Sequence, residues 1–160
     1  MLHVYIRPDG DAYRLLSDVL TLHNISPLPA IARGEQGKPF FPTLPHLHFN
    51  LSHTKGFSLC ALSDSPVGVD IEVLRPRREK LWRYCLSEEE YAAFRASGGG
   101  WEEFYRLWTL KEAWCKYLGQ PLGQPRNWPT PPPVPFRCYS GEGFSAAVCG
   151  SEMPGPLLFL

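Results

Sequence analysis

A chain of 160 residues, 44% hydrophobic and 13% aromatic, can bury one core, as a single domain or as two small halves that share it. Its 16 Lys and Arg cancel its 16 Asp and Glu, which excludes an overall field toward nucleic acid or membrane and leaves any charged partner to be met locally. No apolar run approaches the ~20 residues that cross a bilayer, Met1–Tyr5 lacks the blocks of a signal peptide, and the five scattered cysteines include no Cys-x-x-Cys pair; the expectation is a cytoplasmic monomer with neither membrane nor nucleic acid as partner.

Residues 2–6 read as a first strand. Pro8 and either Asp9 or Asp11 then start a helix, in which Ala12, Leu15, Leu16 and Val19 recur at helical spacing until about His23–Asn24. Residues 26–45, with several prolines and the stretch Gly34 to Pro39, form a turn-rich connection. Alternation from His46 to Ser52 puts Leu47, Phe49 and Leu51 on one face of a half-buried strand, and residues 57–63 make its hairpin partner across Lys55–Gly56. In residues 67–72 Val67, Val69 and Ile71 face one way, Gly68, Asp70 and Glu72 the other. Ser87 and Glu90 form a capping box, with Leu86 and Tyr91 as its hydrophobic staple, for a helix that runs to about Ala96 and stops at Gly98–Gly100. A longer helix covers about 102–118 and ends at Gly119. Residues 121–135 are proline-dense and extended, Gly143 to Cys149 alternates as a strand, and the apolar tail Leu157–Leu160 packs as a last short one.

Asp70 and Glu72 stand i, i+2 on a strand, so both carboxylates leave one face. Two oxygen ligands there, with a third from a helix, are what a hard cation such as Mg²⁺ accepts while sharing its other positions with water and phosphate. The plain alternative is a strand's ordinary solvent face. Gly68 on the same face supplies no side chain and leaves room for a ligand to approach the backbone.

Glu112 and Lys116 lie one turn apart on a helix, and read plainly they are a surface ion pair worth ~0.3–0.5 kcal/mol. That helix is flanked by Trp108 and Trp114, however, and its Lys111 falls on the stripe of Phe104, Leu107, Trp108 and Cys115, where an unpaired ammonium is costly. A partly buried Glu–Lys pair near a phosphate has the chemistry of a general base and a leaving-group stabiliser. Ser52 and His53 come where a strand meets a turn; they are no nucleophile–base dyad, because neighbouring strand residues point to opposite faces. His53 and Lys38 are either phosphate contacts or merely solvated. The basic run Arg75, Arg77, Arg78, Lys80, Arg83 is either a solvated face or a docking patch for an acidic partner.

Gly37–Lys38–Pro39, Phe49–Asn50–Leu51–Ser52–His53, Gly68–Val69–Asp70–Ile71–Glu72, and the Trp-x-x-Lys-Glu-Ala-x-x-Lys core between Phe104 and Lys116 occur in an order and spacing that resemble the 4′-phosphopantetheinyl transferases of the Sfp type, in the holo-acyl-carrier-protein synthase superfamily. The resemblance runs from about Asp11 to Cys149. It implies an α+β fold of two related halves, 1–65 and 66–160, each a small antiparallel sheet packed on a helix, with coenzyme A in the cleft between them. It implies Mg²⁺-dependent transfer of phosphopantetheine from coenzyme A to a serine of an apo acyl or peptidyl carrier protein, with release of 3′,5′-ADP. Asp70, Glu72 and Glu112 would bind Mg²⁺, or Mn²⁺ in its place, and Glu112 would also be the base for the carrier serine. Lys116 would neutralise or protonate the departing phosphate. Lys38, Ser52 and His53 would hold coenzyme A phosphates, with Arg14 near the nucleotide pocket. Family members carry a longer N-terminal half with further basic contacts to the nucleotide; here about ten residues precede the first helix. Two other readings stay open: a carrier-protein-binding module weak in catalysis, and a Mg²⁺-dependent nucleotide diphosphate hydrolase.

Overall fold

The computed structural model describes residues 1–160. Strand β1 (His3–Arg7) leads to helix α1 (Ala12–Leu22). Asp11 is its cap, accepting the Arg14 N–H at 3.0 Å, while Asp9 holds the Asp11 N–H. Inside the turn-rich stretch, β2 (Ala32–Arg33) and β3 (Pro39–Phe40) close a small hairpin. The alternating segment and the apolar run after it form β4 (His48–Thr54) and β5 (Phe57–Ser63), paired antiparallel across Lys55–Gly56. There follow β6 (Val67–Val73), α2 (Lys80–Cys85), α3 (Glu88–Ala96), α4 (Trp101–Leu118), β7 (Phe136–Gly141), β8 (Phe144–Gly150) and β9 (Leu157–Phe159).

Two sheets, ordered β4-β5-β1-β9 and β6-β8-β7, face each other across a shared core. Val4, Ile6, Leu59 and Ala61 come from the first sheet and Val67, Val69, Ile71, Ala146 and Val148 from the second. This pattern follows from the period-2 alternation of the strands, which sends one face of each inward. Each sheet's outer face takes a helix. α1 covers the first, packing Leu15, Leu16, Val19 and Leu20 on Tyr5, Phe49, Cys60 and Leu62. α4 covers the second, packing Leu110 and Ala113 on Ala147 and Cys149. Fully burying each such Leu, Ile or Val contributes roughly 1.5–3 kcal/mol. The result is the expected α+β fold with small antiparallel sheets, each backed by a helix. The strand pairings have one exception: β9 joins β1 in parallel, so the chain's last strand completes the first sheet.

The capping box at α3 is formed, with Ser87 Oγ accepting the Glu90 N–H at 3.1 Å and a Glu90 carboxylate oxygen accepting the Ser87 N–H at 2.9 Å. Gly119 ends α4 in the left-handed conformation at φ 67°, as a glycine after a helix is suited to do. Besides the short β2–β3 hairpin, two elements lie outside the sequence expectation. α2 falls within the basic run, where its six residues have no side-chain cap and are held by burial of Trp82 and Cys85 against Phe94 and Leu107. β7 is a half-buried edge strand following the prolines, without clean alternation.

Gly68 is a correction. A Cβ there would lie 2.1 Å from Tyr117 N and 2.2 Å from Ala113 O. The space expected for a ligand is filled by the α4 backbone, and the missing side chain lets that helix lie directly on β6.

Candidate active site

The close approach at Gly68 lays the last turns of α4 over the outward face of β6. Lys116 descends on Asp70, its Nζ donating to Oδ1 at 2.8 Å. The plain reading of Lys116 as a surface partner of Glu112 is therefore corrected: its ion pair is with a buried carboxylate on another element. Ser52 on β4 donates to the same Oδ1 at 3.0 Å and stands 3.4 Å from Lys116 Nζ. Asp70 Oδ2 is buried without any partner. Burial pushes the Asp70 carboxyl above the usual carboxylate range, opposed by Lys116 and Ser52. Burial alone would lower Lys116, but the charge and hydrogen bond of Asp70 outweigh it and hold the ammonium above an ordinary lysine's range.

Glu72 and Glu112 stand close enough to Asp70 to feel its charge. Burial raises the Glu72 carboxyl, and Asp70 adds to it. Burial, then Asp70 and Glu72, push Glu112 up to about 7, against the pull of Lys116. Mutual repulsion among half-buried carboxylates is the expected result of gathering them without a compensating cation. As the side chains stand, no group of three His, Cys, Asp or Glu forms a ready metal shell. The chemistry of the donor set still fits a hard divalent cation: all oxygen, raised in pKa first by burial and, at Glu72 and Glu112, by neighbouring carboxylates, with one buried carboxylate oxygen left unpartnered.

Beside this acidic group a cleft of 410 Å³ opens between the start of α1, the β2–β3 hairpin, β4 and the end of α4. Lys38, His53 and Lys116 line it, together with Tyr13, Arg33 and Asn50. Lys38 reaches its place because Gly37, at φ 83°, turns the hairpin; its Nζ donates to Tyr117 O at 2.8 Å. Burial without a counter-ion lowers the Lys38 ammonium to about 8. Arg33 is held by two bonds of 2.9 Å, to Gly37 O and to Tyr13 Oη.

The expected site residues therefore divide. Lys38, His53 and Lys116 meet in the cleft, and Asp70, Glu72 and Glu112 form the acidic group next to it. Ser52 is buried between β4 and β6 and is not part of the cleft lining; Arg14 is exposed and outside it as well. Arg33, Tyr13 and Asn50 were absent from the expected set. The Gly-Lys-Pro turn marked the hairpin that carries Arg33, but nothing local to Arg33 or Tyr13 shows that the hairpin folds back onto α1. Lys111, fully buried on α4, is satisfied as its position demands, donating to Glu90 Oε1 at 2.6 Å and to the carbonyls of Trp128 and Pro125 at 2.6 and 3.2 Å. Arg75, Arg77, Arg78 and Lys80 lie exposed around a shallow groove with Tyr84.

The α+β fold thus brings a basic cleft and an acidic group together at the junction of two helix-backed sheets, with Lys116 shared between them. Residues 66–145 match the family model described as the 4′-phosphopantetheinyl transferase superfamily. The chain is similar to the 4′-phosphopantetheinyl transferase Sfp of Bacillus subtilis (strain 168), 35% identical over 125 residues that cover 72% of this chain and 56% of that one. It is also similar to the 4′-phosphopantetheinyl transferase AcpT of Escherichia coli (strain K12), 45% identical over 111 residues, 66% of this chain and 56% of that one. With a further 4′-phosphopantetheinyl transferase of Bacillus subtilis the identity is 37% over 93 residues, 57% and 42% of the two chains. The chain belongs to the 4′-phosphopantetheinyl transferase superfamily; its matches span about half the length of these curated relatives.

Proposed function

We propose that the chain is a 4′-phosphopantetheinyl transferase, moving phosphopantetheine from coenzyme A to a serine of an apo carrier protein and releasing 3′,5′-ADP. The observation that carries this reading is Lys116, which lines the basic cleft while its Nζ rests on Asp70 of the acidic group. A diphosphate bridging cleft and acidic group would be met by that ammonium at the junction.

In this reading Lys38 and His53 take the phosphates of coenzyme A, and Arg33 lies within reach of the same cleft. Asp70, Glu72 and Glu112 hold Mg²⁺ or Mn²⁺, which when bound supplies charge neutralisation for the diphosphate. Glu112, on the helix turn next to Lys116, also serves as the general base. It takes the proton of the carrier serine hydroxyl, directly or through water, as the serine oxygen bonds to the phosphorus that bears pantetheine. The bond from that phosphorus to the bridging oxygen breaks, and Lys116 neutralises the charge left on 3′,5′-ADP. Positioning and charge compensation suffice for phosphoryl transfer, with little covalent work for the protein.

The test is intact-mass analysis of a panel of apo carrier proteins after incubation with the chain, coenzyme A and Mg²⁺. Addition of one phosphopantetheine is the expected outcome. Carriers left unmodified, while a second transferase loads them, would sink the reading, and free 3′,5′-ADP without a modified carrier would replace it with hydrolysis.

A further inference from the structure

β4 and β6 lie edge to edge but belong to different sheets, so the N–H groups of β6 find side chains there instead of a strand. Asn50 Oδ1 accepts the Val69 N–H at 2.9 Å and Ser52 Oγ accepts the Ile71 N–H at 3.3 Å. These two anchors bracket Asp70. The single Ser52 proton is spent on Asp70 Oδ1 at 3.0 Å, and Lys116 Nζ approaches the hydroxyl at 3.4 Å. One donor and two acceptor positions exhaust a serine hydroxyl. Ser52 is only 7% exposed, whereas its neighbour His53 is open to the cleft. Held this way, Asp70 turns Oδ1 to Ser52 and Lys116 and leaves Oδ2 unpartnered.

We propose that Ser52 is a positioning residue that aims Asp70 at the cation. The inference rests on the transferase reading. A hydrogen bond to a ligating carboxylate fixes its orientation and raises its worth as a ligand, and loss of such a partner typically weakens metal binding about 10–100-fold.

Mn²⁺ titration of the full chain without coenzyme A, by calorimetry or electron paramagnetic resonance, separates this role from phosphate binding. Ser52→Ala is expected to weaken Mn²⁺ binding about tenfold or more, while KM for coenzyme A at saturating metal stays at the wild-type value. Ser52→Cys keeps the packing but offers only a weak donor and is expected to show the same split, so the test survives if the alanine variant fails to fold. Wild-type Mn²⁺ affinity in either folded variant, or a raised KM for coenzyme A with metal binding intact, overturns the positioning role alone. A wild-type chain that neither binds Mn²⁺ nor modifies a carrier overturns the transferase reading beneath it.

Discussion

Lys116 and Asp70 lie 2.8 Å apart, Nζ to Oδ1, although 46 residues separate them. Helical spacing would have paired Lys116 with Glu112 one turn away. Burial decides against that: the Asp70 side chain is 7% exposed, and a charge so placed needs a partner more than a half-buried glutamate does. Glu112 is thereby left free of a fixed cation, which is what a base or a metal ligand requires.

Asp70→Ala and Lys116→Ala should therefore separate metal binding from stability. Removing Asp70 takes away a proposed ligand, so Mn²⁺ affinity should fall further in Asp70→Ala than in Lys116→Ala. Removing Lys116 strands a buried carboxylate, at a cost of about 3 kcal/mol in the metal-free protein, and added Mn²⁺ should recover part of it. Metal titration and urea unfolding of both variants check this; the reverse order of metal affinities would refute the ligand assignment.

Glu112 makes stability depend on pH in a defined direction. Its carboxyl is raised from 4.5 to about 7 in the folded chain, so the folded state binds the proton more tightly than the unfolded one. Its contribution to stability is complete below pH 4.5 and is lost as pH rises through about 7. Glu112→Gln, which resembles the protonated form, does not undergo this loss. The difference in Tm, variant minus wild type, should grow from pH 5 to pH 8 in the absence of metal. Turnover of the same variant should drop by about 10²–10⁴, the usual worth of a general base; near-wild-type turnover would remove Glu112 from the mechanism.

Lys38, lowered to about 8 by burial, should be charged in the free protein below that pH and neutral above it. KM for coenzyme A is expected to be flat from pH 6.5 to 7.5 and to climb beyond 8. Lys38→Ala should raise KM at neutral pH with kcat little changed, and should flatten the alkaline limb of the profile. A profile unchanged by the substitution would take Lys38 out of the phosphate set.

Gly68→Ala tests the seat of α4. A methyl group 2.1 Å from Tyr117 N has no flexible side chain to displace, so the helix must lift from β6. Overpacking of this kind costs about 3 kcal/mol, and the displacement would carry Lys116 and Glu112 away from Asp70. Thermal unfolding reads the first effect; a loss of Mn²⁺ affinity larger than that of a destabilised core variant such as Leu110→Ala reads the second.

Much of the architecture was legible because it depends on local rules. Alternation found β4, β6 and β8, an apolar run across the Lys55–Gly56 turn found β5, helical periodicity found α1 and α4, and the Ser87–Glu90 capping box placed the start of α3 where it is observed. α2 and β7 escaped because neither has a local signal: a six-residue helix without a side-chain cap is held by Trp82 in a tertiary cluster, and β7 by its ladder to β8. The candidate site followed the same division. Periodicity alone puts Asp70 and Glu72 on one face, and Glu112 and Lys116 on another, because strand and helix periods are properties of the backbone. Long-range packing alone seats a helix backbone on Gly68, brings Lys116 to Asp70, places Ser52 between two strand edges and carries Arg33 to the cleft. Each of those depends on which distant surface is brought into contact and how much water is excluded there, and burial, unlike periodicity, is set by the fold as a whole.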